Sequence, residues 1–457
     1  MKKIISILIF FSPYLFGQSI ILDDYIKFGL KNNLALKQKV FALDQSITDL
    51  KQARGMFFPS IEINARYSRA GGGRVIDIPI GDLVNPIHQG LNFLNPSFNY
   101  PTNIPNGVTR FLREEEHETK ISLIQPIVQP ALFYNHSIKS NLVDIQKAEK
   151  TIYSRNLIAD IKEAYFNYLK SLKVKLLFRT TKNLVSENLR VTKSLFDNDK
   201  VTIDLLYKAE AELSEIEEKE LEAENNADLA ASYFNFLLNR PLESEIIIDS
   251  IAINDIDLSS LWEFEILAVN NREELEQLRL AIQATEDNKC LAKSGYLPGV
   301  SLAADYGFQG EKYSFSKDDD YWMASLVLNW NLFNGFQDAS KVEKAEIELK
   351  SINAKISETE NLIKLQTKEA YKNFYLARDR IKAADDRLKG YEKAFRIVSK
   401  KFAEGLASQL EYLDARQKYT QSEIQKIIAE YEMLAIYAEL EKVTASIDIE
   451  LLLKENK

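Results

Sequence analysis

Two carboxylates, Glu411 and Asp414, stand three residues apart in the stretch Phe402-Ala-Glu-Gly-Leu-Ala-Ser-Gln-Leu-Glu-Tyr-Leu-Asp414. On a helix that spacing places both on one face. Their chemistry there is fixed negative charge, which can attract cations or serve the helix itself. Ser408 followed three residues later by Glu411 is a capping box, and acids in a first turn favour the helix dipole, so the helix-start role has an equal claim on Glu411. No other constellation competes. The three histidines, His88, His117 and His136, lack the local spacing of metal ligands. Gly71-Gly-Gly73 is followed by no Lys-Ser/Thr and helix, which excludes a phosphate loop. No nucleophile and base stand at motif spacing, so no catalytic residue, cofactor or metal is assigned and the chain is not expected to be an enzyme. Cys290 is the single cysteine and cannot form an intrachain disulfide.

The carboxylates are positioned by a turn between two helices. Gly405 supplies the left-handed residue that stops one helix, and Ser408 starts the next. A weaker copy lies 206 residues upstream (402 − 196 = 206), where Phe196 stands for Phe402, Thr202 for Ser408 and Ala209 for Ala415. Repetition at that distance indicates a duplicated half and not a short-period solenoid. The helices are long. Eight of the 11 prolines fall between Pro59 and Pro130, none from 131 to 240 and none after Pro298, and Gly is absent from 131 to 294. Phe374, Ala377, Ile381, Ala384, Leu388, Tyr391, Phe395, Val398 and Phe402 follow a 3,4 spacing, and Ile158, Ile161, Tyr165, Tyr168 and Leu172 do the same in the first half, which are coiled-coil seams.

Between the helices the period changes to two. Ile61, Ile63, Ala65 and Tyr67 alternate with Glu62, Asn64, Arg66 and Ser68, and a second strand covers Thr119 to Val128, ended by Pro126 and Pro130. The pattern recurs at Val300 to Gln309 and again from Trp322 to Trp330, whose tryptophans, eight residues apart, span about 27 Å of strand. That suits a lipid-facing band with aromatics at its edges. Four strands cannot close a barrel, and an open sheet leaves its edges unpaired. Three subunits would pool twelve, an even number in the outer-membrane range. The fold class expected is therefore mostly α with a transmembrane β-barrel: long coiled-coil hairpins plus four strands per subunit, joined in a trimer.

Lys2 and Lys3 before the apolar run Ile4 to Phe11, with an expected cleavage point after Gly17, have the pattern of a secretory signal peptide. Its removal takes the formal charge from −9 to −11, which disfavours nucleic acid as a partner. The domain reading is a signal peptide at 1–17 and a first repeat at 18–240, with strands at about 57–70 and 118–128, a Gly/Pro/Asn-rich loop at 71–117 and a helix turn at 197–202. An equatorial insertion at 241–258 follows. The second repeat occupies 259–446, with strands at about 299–310 and 320–333 and a helix turn at 403–408, before a tail at 447–457.

These features together resemble the outer-membrane efflux proteins of the TolC family. The likeness rests on the strand entries at Pro59 and Leu297-Pro298, on Trp330-Asn-Leu-Phe-Asn-Gly-Phe336, and on Phe402-Ala-Glu-Gly-Leu-Ala-Ser408 with Leu410-Glu-Tyr-Leu-Asp414. The resemblance implies a homotrimer with a 12-stranded barrel among outer-membrane lipid and a helical tunnel in the periplasm. It implies an acidic constriction at Glu411 and Asp414, and docking of a periplasmic adaptor on the turns Gly405, Leu406, Ala407, Ser408 and Asp199, Lys200, Val201. That adaptor would couple the channel to an inner-membrane transporter. The first turn departs from the family, with Asp199-Lys200 in place of Gly-Leu. Trp322 and Trp330 are the expected membrane-interface aromatics. The function implied is the exit duct of a tripartite efflux system; a type I protein secretion channel shares the architecture, and a soluble periplasmic coiled-coil scaffold is opposed by the strands with their tryptophan edges.

Overall fold

The computed structural model describes residues 19–249, 258–449 and 452. The leader expected at 1–17, the latter part of the insertion expected at 241–258, and most of the tail expected at 447–457 lie outside the described residues. In chain order the elements are α1 (Ile20–Asn32), α2 (Leu34–Gly55), β1 (Ser60–Arg69), β2 (Val75–Ile78), α3 (Ile80–Leu94), β3 (Gly107–Arg110), β4 (Glu115–Val128), α4 (Pro130–Asp197) and α5 (Ile203–Leu237). After them come α6 (Leu261–Asn271), α7 (Glu273–Ser294), β5 (Gly299–Gly310), β6 (Asp320–Asn329), α8 (Gln337–Ala403) and α9 (Gln409–Thr444). None of the described helices is long and apolar enough to cross a membrane.

The chain forms two compact units. One comprises residues up to Thr48, Lys139–Thr285 and from Ile347 onward, and it is helical. Its main core joins Ile26 of α1 to Leu157, Ile158, Ile161 and Tyr165 of α4, Phe234 of α5 and Leu434 of α9, all nearly inaccessible to solvent. Tyr25 meets Phe234 edge to face at 5.0 Å, a geometry aromatic quadrupoles favour. The seam residues Phe374, Ala377 and Ala384 of α8 are likewise buried. Burial then fades toward the turn, where Tyr391 is already exposed. Between α1 and α2 the helix breaks at Asn33, whose side chain accepts from the Leu36 N–H at 2.9 Å while its amide donates to the Leu237 carbonyl. Between α6 and α7 the helix also breaks. At Arg272 the backbone is extended (φ −72, ψ 123), and the guanidinium binds Glu274 and, at 2.5 Å, Gln366. The acid run Glu273, Glu274 and Glu276 then starts α7, where the helix dipole favours it.

The other unit, Asp49–Ile138 and Glu286–Glu346, holds a four-stranded antiparallel sheet in the order β1-β4-β5-β6. Both β1 and β6 are therefore edges. Pro126 does not end β4 but sits within it, at a register shift between Pro126 and Val128, where a bulge excuses the missing N–H. The segment 71–117, expected to be loop, is also ordered. The β1–β4 hairpin continues through Gly72 and Gly73, both at positive φ, into the two-stranded β2–β3 sheet, with α3 between. Gly and Pro punctuation hid a short helix whose own apolar spacing, Ile80, Leu83, Ile87, Leu91 and Leu94, is regular.

Candidate functional site

Strand register sorts the sheet into rows of opposite character. Ile63 pairs with Ile121, Ile121 with Tyr306 and Tyr306 with Trp322, giving one apolar row. Two residues along each strand, Ile61, Leu123, Ala304 and Ala324 make another. Between them, on the opposite face because the pleat alternates, lies Glu62-Ser122-Asp305-Met323, followed by Asn64-Lys120-Gly307-Tyr321. The polar face is wired across strands. Lys120 lies 3.3 Å from Asp305 and 3.6 Å from Glu118, Arg66 lies 3.6 Å from Glu116, and the Tyr321 hydroxyl donates to Glu118 at 2.7 Å. Along these apolar rows the large side chains are bare among the described residues: Ile63 is 74% and Trp322 77% exposed. Charge is satisfied on one face while large apolar side chains stand bare on the other, which is the arrangement of a strand set between lipid and an aqueous lumen.

Aromatic side chains gather at both ends of this sheet. At the helix end, Phe57 packs on Phe133 at 5.1 Å, Phe333 on Phe336 at 5.3 Å, and the Trp330 indole donates to the Tyr296 carbonyl at 3.0 Å. Asp338, at the start of α8, receives hydrogen bonds from Asn334 (2.7 Å) and Lys341 (3.1 Å), which hold its carboxyl below the usual carboxylate range and fix the strand exit. At the hairpin end, Tyr313 of the β5–β6 connection packs on His117 at 4.7 Å and Phe315 on Phe308 at 5.2 Å. Trp322 belongs to the apolar row and Trp330 lies just past the end of β6.

The two helix turns are built alike at the backbone. The Leu406 N–H reaches the Lys401 carbonyl at 2.7 Å and the Gly405 N–H reaches Phe402, and 206 residues earlier Lys200 reaches Leu195 at 2.9 Å and Asp199 reaches Phe196. This is the paired closure of a Schellman motif. Gly405 (φ 73) and Asp199 (φ 53) occupy the same left-handed position, so the aspartate bears strain that Gly405 does not. The starts differ. Ser408 and Glu411 form the full capping box, whereas Thr202 makes no backbone cap and turns to Asp204, and Leu205, where the second turn has Glu411 (411 − 206 = 205), has no carboxylate to return the second bond. Leu406 and Leu410 project apolar surface from the second turn, 72% and 77% exposed, and Ile203 is exposed beside the first. Val201 and Ala407 are half-buried; Asp199, Lys200 and Ser408 are exposed.

Glu411 and Asp414 are both exposed at the start of α9. Hydrogen bonds from the Ser408 N–H (2.7 Å) and hydroxyl (2.9 Å) hold the Glu411 carboxyl below its ordinary range. Within one subunit the cap governs Glu411. Asp414 accepts from Lys418 at 2.9 Å, one turn along.

Below the turn lies a feature the sequence reading passed over. Glu212 of α5 pairs with Arg416 of α9, the two side chains only 8% and 7% exposed. Burial pushes the Glu212 carboxyl up, and Arg416 offsets part of that. The signal was present in the seams: Glu212 takes the place between buried Ala209 and Ile216, and Arg416 the place between buried Tyr412 and Thr420. Tyr412, stacked on Phe402 at 4.8 Å, and Gln409, donating to the Leu205 carbonyl at 3.3 Å, complete this layer. Among the described residues no group of three or more His, Cys, Asp or Glu is placed to hold a metal ion.

Comparison with known proteins agrees with this architecture. Residues 267–446 match the model of the outer membrane efflux protein family. No curated protein sequence matches the chain at a significant level. Among solved structures it is similar to a membrane protein from Pseudomonas aeruginosa (16% identity, TM-score 0.76, covering 94% of this chain and 93% of that one). It is also similar to the Campylobacter jejuni CmeC outer membrane channel (15%, 0.77, 95% and 89%) and to the open state of the Neisseria gonorrhoeae MtrE outer membrane channel (14%, 0.73, 93% and 88%).

Proposed function

We propose that this chain, a member of the outer membrane efflux protein family with the fold of a TolC-like channel subunit, works as the outer-membrane exit duct of a tripartite efflux system. The observation that carries the reading is the two-faced sheet: an exposed apolar face, a charge-paired face and two open edges. Three copies joined edge to edge close a 12-stranded barrel, with Trp322 and Trp330 at the lipid interfaces and the Lys120–Asp305 face toward water. The helical part lies in the periplasm. Its turns dock a periplasmic adaptor that links the duct to an inner-membrane transporter, Leu406 and Leu410 offering the apolar contact at the second turn and Val201 with Ile203 at the first. Conduction is passive, so the transporter selects the cargo.

In the trimer Glu411 and Asp414 of each copy form six carboxylates around the narrowest part of the tunnel, which favours cations when ionised. Glu411 serves as cap and ring member together, since its capping bonds leave the carboxylate ionised. The test is single-channel conductance of the detergent-purified protein in a planar bilayer. Cation-selective openings are expected. Folded protein that inserts yet never conducts would overturn the reading.

A further inference from the structure

The segment between Arg74 and Arg110 is larger than a strand connection needs, and its side chains divide its surfaces sharply. The polar face of α3 is used up internally. Asn85 exchanges two hydrogen bonds of 2.8 Å with the backbone of Ile104, Asn92 exchanges two of 2.7 Å with Tyr100, and His88 lies 2.6 Å from the Pro101 carbonyl. The side chains of one helix thus hold a returning strap as a β-ladder would. At Gly81 the strap comes so close that a Cβ would stand 2.1 Å from the Ile104 carbonyl oxygen. What remains is the other face, where Ile80, Leu83, Ile87, Leu91 and Leu94 form a single apolar stripe at near-heptad spacing, exposed throughout, with Ile87 at 60% and Leu94 at 79%.

Water is a poor neighbour for that stripe, and lipid is little better suited. Between Arg74 and Arg110 the chain has no Lys, Arg or Trp, the residues that anchor a helix at an anionic membrane surface. The aromatic cluster around Tyr67 and Tyr313 marks the end of the lipid-facing rows, and the segment lies beyond it along β1 and β4. The attachment also points to another copy of this chain. The segment is carried by β1, an edge strand that in the pooled barrel abuts the neighbouring subunit. The sizes agree: a 12-stranded barrel with strands ~4.8 Å apart and tilted ~40° is about 24 Å across. Three helices ~10 Å thick, packed about a threefold axis, fill a circle of about 22 Å.

We propose that the α3 helices of three copies pack through Ile80, Leu83, Ile87, Leu91 and Leu94 into a three-helix plug over the outer mouth of the barrel. The plug is carried by the β1–β4 hairpin, which enters it through Gly72 and Gly73, so it closes the barrel at its hairpin end. This inference rests on the trimeric-duct reading, and its test separates the two.

The experiment uses the full chain with Cys290→Ser and either Ile87→Cys on the stripe or Gln89→Cys off it. It combines native mass in detergent with oxidative cross-linking in outer membranes. Three stripe thiols around one axis pair two at a time. Trimers are expected from both variants, with a covalent dimer at least fivefold more abundant for Ile87→Cys. Trimers with equal or no cross-linking overturn the plug and leave the duct reading standing. Monomers from both variants and from the parent chain overturn the duct reading and the plug with it. Labelling of Ile87→Cys by a lipid-soluble thiol reagent but not by an impermeant one, without cross-links, assigns the stripe to lipid and also overturns the plug.

Discussion

Replacing Arg416 with Met should loosen the helix pair beneath the turns, because it strands Glu212 as an unpaired acid in a site only 8% exposed. Breaking one side of a buried ion pair costs about 3–5 kcal/mol, whereas replacing both partners by apolar residues of similar size is often neutral. At the lower figure, amides in residues 205–216 and 409–420 should exchange ~150-fold faster than in the parent, taking 1.36 kcal/mol per tenfold. The double variant Arg416→Met with Glu212→Met should return to within about tenfold of the parent. The pH dependence follows from the direction of the Glu212 shift. Burial raises its folded-state pKa above the unfolded value, and losing Arg416 raises it further, so the penalty is largest at high pH and shrinks as pH falls toward the ordinary carboxyl range. Exchange measured at pH 7 and pH 5, each corrected for intrinsic rates, reads this directly. A double variant as labile as the single one, or a single-variant effect that grows as pH falls, would refute the argument from a buried charge.

Other perturbations test the remaining parts. Leu326→Arg, 72% exposed in the apolar face, should destabilise the barrel by roughly 2–4 kcal/mol if it lies near the bilayer midplane, read from urea midpoints in lipid vesicles. Asp199→Gly should stabilise the first turn by about 1 kcal/mol, whereas Gly405→Val should destabilise the second by a similar amount and impair efflux in cells while trimers persist; loss of the trimer would make that turn purely structural. Glu411→Ala with Asp414→Ala should lower cation selectivity in a planar bilayer, and Glu411→Gln should do so while keeping the capping box, so unchanged reversal potentials in both would place the gate elsewhere. Because its hydrogen bonds depress the Glu411 pKa, the capping contribution is present above the unfolded value and is lost as pH falls through the lower folded one, visible as fraying of residues 409–412.

The elements most legible in the sequence were those whose signal is periodic. The seam from Phe374 to Phe402 and the alternation at Ile61 to Tyr67 each repeat often enough to outvote local exceptions, and Gly405 with Ser408 marks a turn that depends on residues within a few positions. What escaped had one of three causes. Where a single residue sets a break, as Arg272 does by reaching Gln366 nearly a hundred residues away, no local pattern announces it. Where punctuation is dense, as around α3, prolines and glycines masked a helix whose stabilising partner is a strap the sequence shows only as Asn and Pro. Glu212 and Arg416 illustrate a third case. No local pattern joins them, and only their seam positions, on two helices far apart in the sequence, mark them as a buried pair.

The central claim is that four strands per chain make a barrel only by joining those of other copies. Native mass spectrometry of the protein extracted from outer membranes in mild detergent tests it most directly. The account predicts a particle of three chains, and a stable monomer with its β1 and β6 edges rapidly exchanging would contradict it.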